Sequence, residues 1–517
     1  MDPRYILAID AGTTKLKVIL FDENGSAVDS AVTHVDYMQP EADWFEMDMN
    51  HLWEKLETLV KELLIHSNIH PASVISIGIT GQGEGCWLVD GDFQPVRNAI
   101  LWLDKRAASD LKNLQDDVLQ AYKNISFSSL VPGATIALLK WLDMHEPLAL
   151  NRAAYCLSCK DWLRYKLTGA IRSDFSDAST SMLDLQTAQI SAEVFELIGI
   201  QHRQSLVAPL SYGSEVAGLV SKEASFLTGL VEGTPVITGV LDIVANALGC
   251  GAIGEGDVSV TIGTTCSSQV ILNKLPGNAS QVGSVLCGAT ENQYIHMVGS
   301  MAGTPNMDWL ARELYGIDLH DKEKATNFFT LVDKEIKAVE VGAKGVVYHP
   351  YIMTGERAPF YNPYAVAQFF GIHSKTTKEH LSRAVYEGIA FSIKDCLHLN
   401  IEKKRIILSG GASNSEILPQ IVADCLGVEV VKLVGKEQTA KGVFMLAAVQ
   451  SGIVNSLEEA IHKTTHIAAS FQPNMENHRR YNELFHLYKN LRKMNARNWE
   501  LRHRFLQGTN SRLEERV

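Results

Sequence analysis

The chain lacks several features that mark membrane, secreted or nucleic-acid-binding proteins. No apolar run approaches the roughly 20 residues that a bilayer-spanning helix needs, and the N terminus carries no signal-peptide pattern. Basic residues are outnumbered by acidic ones, 47 to 59. The resulting formal charge of -12 argues against nucleic acid or an anionic membrane as the main partner. We therefore expect a cytoplasmic protein with neither partner.

The sequence also has no paired cysteine or histidine pattern of the kind that holds zinc. Eight cysteines are scattered along the chain, mostly within apolar stretches. Cys156 and Cys159 form one C-x-x-C pair, but no second pair follows at zinc-site spacing. We interpret the cysteines as reduced structural thiols.

The length and composition of the chain indicate a globular protein with more than one core. A chain of 517 residues is too long for one typical core, and 46% of its residues are hydrophobic. The glycine-rich stretch 251–256 is the best candidate for a boundary. We predict an N-terminal domain over residues 1–252 and a C-terminal domain over 253–517 that ends in a helical tail.

Two segments carry the same strand–turn–strand pattern. Residues 5–25 predict two strands joined by Gly-Thr-Thr, with Asp10 ending the first strand, and residues 258–271 repeat this pattern. Glycine permits close backbone approach, hydroxyls and turn amides suit anions, and Asp10 is suited to hold Mg²⁺ through water. Ordinary hairpins are the alternative for each copy alone. The pairing favours two related domains closing on one nucleotide, with Gly12, Thr13, Thr14, Lys17, Gly263, Thr264 and Thr265 as binding residues.

Strand and helix signals alternate along both halves, which indicates an α/β fold. Apolar spacing predicts a helix over 50–65 with Asn50 as its cap, and a buried strand over 74–79. Further helices are predicted over 134–144, 160–167 and 380–399, and further strands over 235–239, 344–350 and 405–411.

Asp242 is the first candidate for chemistry. A predicted strand ends at Gly239, and the acid then opens a helix, which puts a carboxylate at the sheet edge where α/β proteins bind ligands. The structural alternative is a helix cap, because Asp is a favoured cap residue. The functional interpretation is a base that accepts a hydroxyl proton and, in phosphoryl transfer, orients the alcohol.

Residues 409–414 form a second candidate, in which two glycines follow an apolar strand and precede a helix. These glycines would let a base or ribose lie against the backbone at a helix N terminus, which makes Gly410 and Gly411 nucleotide candidates. Tight packing is the alternative. Downstream, Gly442 in another apolar helix predicts a close approach between helices.

Residues 81–87 are the third candidate, with three glycines interleaved with an amide and an acid. We predict that this stretch exposes Gln82 and Glu84 on a flexible, open loop, where they suit a polyhydroxylated ligand. Trp102 and Asp104, with Arg106, form a candidate partner cluster. The alternatives are a solvated turn for the loop and a surface ion pair for the cluster.

Together these segments resemble the FGGY family of carbohydrate kinases over residues 5–455. The matching motifs are the two Gly-Thr-Thr hairpins, Gly355–Pro359, 367–372, 380–381, 384–387 and 409–414. The resemblance implies two α/β domains of the actin/hexokinase/sugar-kinase, ribonuclease H-like type, with an interdomain cleft for ATP and sugar. It implies ATP and Mg²⁺ as cofactors, Asp242 as catalytic base, Asp10 near magnesium, the two loops on the phosphates, and Gly410, Gly411 and Asn414 near adenosine. The N-terminal domain would then bind substrate and the C-terminal domain nucleotide.

Departures from the family pattern bear on the substrate. The usual lysine of the N-terminal signature is replaced by Leu138. Xylulose kinases usually read S-G-Q-M-H where this chain reads T-G-Q-G-E over 80–84, and the arginine of the glycerol kinase N-Q-R-E is absent. The pattern looks more like that of erythritol kinases and is also similar to that of L-xylulose kinases.

The resemblance therefore predicts an ATP-dependent kinase for a hydroxyl of a small polyol, with erythritol first. The pocket candidates are Gln82, Glu84, Trp102, Asp104 and Asp242. An L-xylulose or other pentulose kinase is the nearer alternative, and a non-catalytic, nucleotide-gated module of the actin superfamily is the distant one. The expected partner is a small-molecule polyol or sugar, and a homodimer stays open.

Overall fold

Each predicted hairpin lies within a larger sheet of the computed structural model, which describes residues 3–279 and 282–507. The described residues group into two units. Unit 1 comprises those of Met1–Glu255, Ile271–His296 and Glu437–His466, and unit 2 comprises those of Gly256–Val270, Met297–Lys436 and Ile467–Val517. Both units contain strands and helices, which confirms the predicted two-part α/β fold.

The strands alternate with helices along the chain. The strands are β1 (Tyr5–Ala11), β2 (Lys15–Asp22), β3 (Ala27–His34), β4 (Glu46–Met47), β5 (Val74–Gly81), β6 (Trp87–Asp90), β7 (Ala99–Ile100), β8 (Ala153–Leu157), β9 (Ser173–Asp174), β10 (Leu183–Asp184), β11 (Gln189–Ile190), β12 (Leu210–Ser211), β13 (Val216–Leu219), β14 (Pro235–Ile237), β15 (Val240–Leu241), β16 (Asp257–Ile262), β17 (Cys266–Leu272), β18 (Ser284–Cys287), β19 (Tyr294–Ser300), β20 (Val347–His349), β21 (Gln368–Phe370), β22 (Arg405–Ser409), β23 (Val430–Leu433) and β24 (Ile467–Phe471).

The helices range from single turns to a long C-terminal helix. They are α1 (Met49–His66), α2 (Ala108–Lys112), α3 (Asp116–Ser126), α4 (Thr135–His145), α5 (Pro147–Arg152), α6 (Cys159–Thr168), α7 (Phe175–Ala178), α8 (Ala192–Ile198), α9 (Lys222–Thr228), α10 (Asp242–Gly249), α11 (Pro305–Tyr315), α12 (Lys322–Lys337), α13 (Lys378–Cys396), α14 (Leu418–Leu426), α15 (Gln438–Gln450), α16 (Leu457–Thr464) and α17 (Met475–Leu506). Short 3-10 helices cover Pro71–Ser73, Gln201–Leu206, Ala343–Gly345 and Gly411–Asn414.

The main sheet of unit 1 brings three predicted site residues to one edge. Its strands run in the order β13-β14-β5-β1-β2-β3, and β15 also pairs with β5. Strands β1 and β15 are both parallel to β5, whereas β2 is antiparallel to β1. Because the carboxyl ends of parallel strands meet at the same edge, Asp10, Gln82 and Asp242 are delivered together.

Unit 2 repeats this local topology around the second hairpin. Strand β16 is antiparallel to β17 and parallel to β22, and β22 is in turn parallel to β23. Gly263 follows β16 and Gly410 follows β22, so both glycines lie at the same sheet edge. The same hairpin-plus-parallel-strand arrangement therefore occurs in both units.

Helix α1 shows how closely the local sequence pattern predicted the ends of a helix. The apolar spacing over 50–65 is confirmed by a helix over Met49–His66. The predicted Asn50 cap is wrong, because Asp48 is the N-cap and its side chain accepts hydrogen bonds from the amides of Asn50 and His51. The helix begins one residue earlier than predicted, at Met49, which is apolar and buried like Leu52 and Leu56 of the same face.

Other predicted elements are confirmed with shifted ends. Strand β5 extends past the predicted 74–79 to Gly81, and helix α6 ends at Thr168, before Gly169 in the left-handed conformation. The remaining predictions correspond to α4, β14, β20, α13 and β22. The described part of the C-terminal tail is helical, as predicted, over α17.

Glycine allows helix α10, which begins at Asp242, to lie against α15. A Cβ added to Gly442 would lie 1.9 Å from the Ala245 carbonyl oxygen, and one added to Gly249 would lie 1.8 Å from the Gln438 carbonyl oxygen. The predicted close approach at Gly442 is therefore confirmed. This contact fixes the position of the helix that presents Asp242.

The eight cysteines are buried and none of them forms a disulfide, which fits their interpretation as structural thiols. Across residues 3–279 and 282–507, no helix is both long enough and apolar enough to cross a bilayer.

Replacing Gly442 by alanine should destabilise unit 1. The added methyl group would meet backbone atoms of α10, which cannot rotate away, and overpacking of this kind costs roughly 1–3 kcal/mol or more. Urea unfolding measures the loss. Gly91→Ala is the matched control, because an added Cβ there has no atom within 4 Å. Equal stability of the two variants would contradict the packing argument.

Candidate active site

Three chain segments are joined at the sheet edge of unit 1. The Thr80 hydroxyl donates a hydrogen bond to the Val240 carbonyl at 2.6 Å, and the Gln82 amide donates to the Ala11 carbonyl at 2.9 Å. These bonds connect the end of β1, the loop after β5 and the strand that precedes Asp242. The predicted metal residue Asp10, the predicted base and the predicted substrate loop therefore share one scaffold.

Asp10 and Asp242 lie in surroundings that disfavour charge. Burial raises the pKa of Asp10 to about 6, with Lys17 opposing the shift and Glu437 supporting it. Burial and the neighbouring Asp10 charge raise the pKa of Asp242 to about 7. Lys17 pairs with Glu437, with 2.6 Å between Nζ and Oε2. Both acids therefore hold a proton more tightly than an ordinary carboxyl does.

The buried carboxyl of Asp10, with the acid Asp242 nearby, suits a divalent cation. A cation would favour the charged carboxylates and offset the repulsion that raises their pKa values. Among the described residues no cluster of three or more His, Cys, Asp or Glu side chains is arranged for a metal. Mg²⁺ can bind with so few protein carboxylates, because water and phosphate oxygens supply its other ligands.

The loop after β5 is tightly packed, so the prediction that it is open and flexible is wrong. A Cβ on Gly83 would lie 2.1 Å from Leu241 Cδ1, and one on Gly85 would lie 2.4 Å from the Ile100 carbonyl oxygen. Gln82 is only 3% exposed. The glycines serve backbone approach to neighbouring segments, and the sequence alone does not distinguish this use from flexibility.

Gln82 links the predicted substrate and phosphate residues of unit 1. Thr13 Oγ1 donates to Gln82 Oε1 at 3.1 Å and accepts from Trp102 Nε1 at 3.0 Å. Gln82 Nε2 has no hydrogen-bond partner among the described residues and lies beside the Cys159 thiol, a weak acceptor. The buried amide therefore retains donor capacity that a ligand oxygen would satisfy.

Glu84 is held by a ring of hydrogen-bond donors. Its Oε2 accepts from the Thr135 amide at 2.7 Å, from the Thr135 hydroxyl at 3.3 Å and from Ser181 Oγ at 3.2 Å. The Glu84 amide donates to Asp177 Oδ1 at 3.2 Å. Its φ of +57° is unusual for a residue with a Cβ, and such conformations cluster at functional sites. Burial raises the pKa of Glu84 to about 7 against these donors.

These partners of Glu84 were missed from the sequence. Thr135 and Ser181 carry no local signal, because their contacts with residue 84 arise only from the fold. Asp177 had an indirect signal in the charged pair Lys160-Asp161, which precedes Trp162 and Leu163 in a helix with an apolar face, since buried charges require partners.

Asp104 and Arg106 form a buried ion pair, so the surface-pair alternative is wrong. Both side chains are fully buried, and Asp104 Oδ2 lies 2.9 Å from an Arg106 guanidinium nitrogen. The same oxygen accepts from the Phe45 amide at 2.7 Å. The carboxylate therefore supports the loop that carries Trp102, which is itself 41% exposed. Direct contact of Asp104 with a substrate stays a prediction.

The second Gly-Thr-Thr turn is supported by two further segments of unit 2. The Thr304 amide donates to the Gly263 carbonyl at 2.6 Å, and a Cβ on Gly303 would lie 2.2 Å from the Thr264 carbonyl oxygen. Gly410 has a φ of +91°, and its Cβ would lie 2.4 Å from the Ile262 carbonyl oxygen. The predicted nucleotide residues of this unit therefore converge.

The other predicted nucleotide residues of unit 2 lie on the turn and on the short helix after Gly410. Thr264 and Thr265 are exposed at the tip of the turn, and Asn414 ends the 3-10 helix after Gly410. Gly303-Thr304 was missed, although glycine shortly before a proline-started helix is a usable signal.

Glu356 anchors the segment that leads to Gly303. Its carboxylate accepts from Ser300 Oγ at 2.9 Å and from the Met301 amide at 2.9 Å. Burial raises the pKa of Glu356 while these donors oppose the shift. The motif around residue 356 thus holds the segment before Gly303, which in turn contacts the second Gly-Thr-Thr turn.

Family models match long segments of both halves. The N-terminal domain of the FGGY family of carbohydrate kinases matches residues 5–249, and the C-terminal domain of that family matches residues 258–451. These matches define the class, a phosphotransferase that acts on an alcohol group of a sugar or polyol. The chain belongs to the FGGY family of carbohydrate kinases.

Similar proteins agree with this assignment. The chain is 30% identical to a xylulose kinase of Bacillus subtilis (strain 168) over 94% of this chain and 96% of that protein. It is also 30% identical to an erythritol kinase of Brucella abortus (strain 2308) over 96% and 97%. The crystal structure of gluconate kinase from Lactobacillus acidophilus matches with a TM-score of 0.86 at 23% identity, covering 96% of this chain and 99% of that one, which confirms the fold.

Replacing Asp242 by asparagine should stabilise the protein more at about pH 8 than at about pH 4. A carboxyl whose pKa is raised by folding gives stability that is present below its unfolded value and lost as pH rises through about 7. The amide does not titrate, so the variant's advantage should grow by about 1–3 kcal/mol between these pH values. Urea unfolding at both pH values measures it.

Asp143→Asn is the control of opposite sign. Burial opposes ionisation of Asp143, but its bonds to Arg203 and His202 lower its pKa overall. Its removal should therefore cost stability above pH 4 rather than add to it. A pH-independent effect of Asp242→Asn would contradict the buried environment assigned to Asp242.

Proposed function

We propose that this chain is an ATP- and Mg²⁺-dependent kinase that transfers the γ-phosphate to a terminal hydroxyl of a small polyol, with erythritol as the first candidate. The observation that carries the proposal is the packed Gln82–Glu84 loop beside Asp242. It offers a buried amide nitrogen, Gln82 Nε2, that faces only the weakly accepting Cys159 thiol, and an anchored carboxyl, and amides and carboxyls are the groups that recognise hydroxyls.

Asp242 is proposed as the catalytic base. The phosphoryl-transfer transition state is loose, so the main contribution of a base is to orient the alcohol and receive its proton. A pKa raised to about 7 supports this role, because a general base is most effective when its pKa lies near the working pH. Gln82, Glu84 and Trp102 are proposed as substrate contacts, with Asp104 supporting them.

The nucleotide residues are proposed in each unit separately. Those of unit 1 are Gly12, Thr13, Thr14 and Lys17, and those of unit 2 are Gly263, Thr264, Thr265, Gly410, Gly411 and Asn414. Asp10 is proposed near Mg²⁺, which would neutralise phosphate charge when bound. The corresponding domain proposal assigns residues 1–252 to substrate and base, and residues 253–517 to nucleotide.

The choice of acceptor depends on the loop rather than on overall similarity. The xylulose kinase and the erythritol kinase are equally similar to this chain, at 30% identity each. The chain has Gly83 and Glu84 where xylulose kinases usually carry methionine and histidine. The second candidate function is an L-xylulose or other pentulose kinase, favoured by the similarity of the same loop to that branch.

A cytoplasmic location is proposed from eight buried cysteines without a disulfide, which suit a reducing compartment. Fractionation of cells that express the protein tests this proposal.

A homodimer stays open, and light scattering during size-exclusion chromatography measures the assembly.

Asp242→Asn should lower kcat by roughly 10²–10⁴-fold, the usual contribution of a positioned acid or base. ATP affinity should stay nearly unchanged, because the nucleotide residues are elsewhere. A coupled assay measures turnover and calorimetry measures ATP binding, with Asp143→Asn as the matched control. Substantial retained turnover would remove Asp242 as the base.

A panel of acceptors should rank erythritol first by kcat/KM. The panel comprises erythritol, other tetritols, pentitols, glycerol and both xylulose enantiomers, each measured through ADP release. We expect erythritol to exceed L-xylulose by about tenfold or more, which corresponds to about 1.4 kcal/mol. The reverse ratio would select the pentulose kinase, and absence of acceptor-stimulated ATP consumption would reject both.

A further inference from the structure

A fully buried lysine lies beneath the substrate loop in unit 1. Lys160 is 0% exposed, and its Nζ lies 2.7 Å from Asp161 Oδ1, 2.6 Å from Asp174 Oδ1 and 3.3 Å from Asp177 Oδ2. Arg164 adds a second buried cation, 2.9 Å from Asp161. Burying charges costs several kcal/mol per ion, so ion pairing alone is weak evidence for a stabilising role.

One arm of this cluster ends on the substrate loop. Asp177 Oδ1 accepts the Glu84 amide at 3.2 Å. The same oxygen would lie 2.9 Å from a Cβ on Gly83, so the loop is in close contact with the carboxylate. Asp177 therefore fixes the backbone at the one loop residue that has a Cβ and a positive φ.

A second arm ends beside the proposed base. Asp174 accepts the Ser176 hydroxyl, and Ser176 Oγ accepts the Leu241 amide at 2.9 Å. Leu241 directly precedes Asp242. Arg164 reinforces this arm, since it donates to the Thr238 carbonyl at 2.6 Å, three residues before Leu241.

We propose that Lys160, with Asp174 and Asp177, is a positioning network that sets the separation between Glu84 and Asp242. The lysine ammonium holds both aspartates, and each aspartate holds one of the two segments that carry these side chains. The network thereby fixes where the acceptor hydroxyl lies relative to its proton acceptor. The catalytic role of this network rests on the proposed function. The contacts that form the network do not depend on it.

Hydrogen exchange tests the two arms without any substrate. Asp177→Ala removes the acceptor of the Glu84 amide, and Ser176→Ala removes the acceptor of the Leu241 amide. We expect the first variant to speed exchange in peptides covering residues 80–86 and the second in peptides covering 238–243. Asp143→Ala is the matched control, an ion-paired carboxylate of unit 1 bonded to Arg203 and His202. Unchanged exchange in both segments, or a uniform increase across the chain, would overturn the proposal.

Steady-state kinetics then distinguish positioning from general damage. Each alanine variant should lower kcat by about tenfold or more, because small misplacements of reacting groups cost up to about 10²-fold. The KM for ATP should stay unchanged, since neither arm touches the proposed nucleotide residues. Asp177→Asn keeps an oxygen acceptor and should restore most of the kcat lost in Asp177→Ala.

The outcomes separate this inference from the proposed function. Equal changes in kcat and in the KM for ATP, or altered exchange with unaltered kcat, would overturn the positioning role. If the wild-type protein phosphorylates no acceptor in the panel, the proposed function fails. The exchange data still decide whether Asp177 holds the Glu84 segment and Ser176 holds the segment before Asp242.

Discussion

The buried ammonium of Lys160 is the interaction on which the geometry of the proposed site in unit 1 depends. Three aspartates surround it, and two of them hold the backbone of the substrate loop and of the segment before Asp242. Without the cation, Asp174 and Asp177 would lose their buried ion-pair partner, whereas Asp161 would keep Arg164, and an uncompensated buried charge costs more than a lost hydrogen bond. The network therefore couples the integrity of the core to the geometry of the proposed site.

The same sheet edge explains why recognition and phosphate handling are connected within unit 1. Thr13 in the first Gly-Thr-Thr turn bonds both Gln82 and Trp102, so its hydroxyl already serves the proposed pocket. The raised pKa values of Asp10 and Asp242 follow from burial at that edge. A cation there would favour the ionised forms, which ties the proposed use of Mg²⁺ to the burial that positions the acids.

Local patterns predicted the hairpins, α1 and α10, because these depend on residues close together in the sequence. The glycine at position 442 predicted a close helix approach, but its partner Ala245 is distant in the sequence and became known only from the fold. The openness of the Gln82–Glu84 loop was mispredicted, because flexible glycines and close-packed glycines look alike until the neighbouring segments are known. The burial of Asp104 and the donors around Glu84 were equally invisible, since their partners come from distant segments. Family motifs identified the kinase family, and the proposed acceptor rests on those long-range contacts.

The central claim is that this chain phosphorylates the terminal hydroxyl of a tetritol, and identification of the product tests it most directly. Uniformly ¹³C-labelled erythritol, ATP and Mg²⁺ would be incubated with the protein and the product examined by ³¹P–¹³C correlation NMR. The account predicts phosphorus coupled to a terminal carbon, in an amount equal to the ADP formed. ADP without a phosphorylated tetritol, in a preparation that phosphorylates L-xylulose under the same conditions, would contradict it.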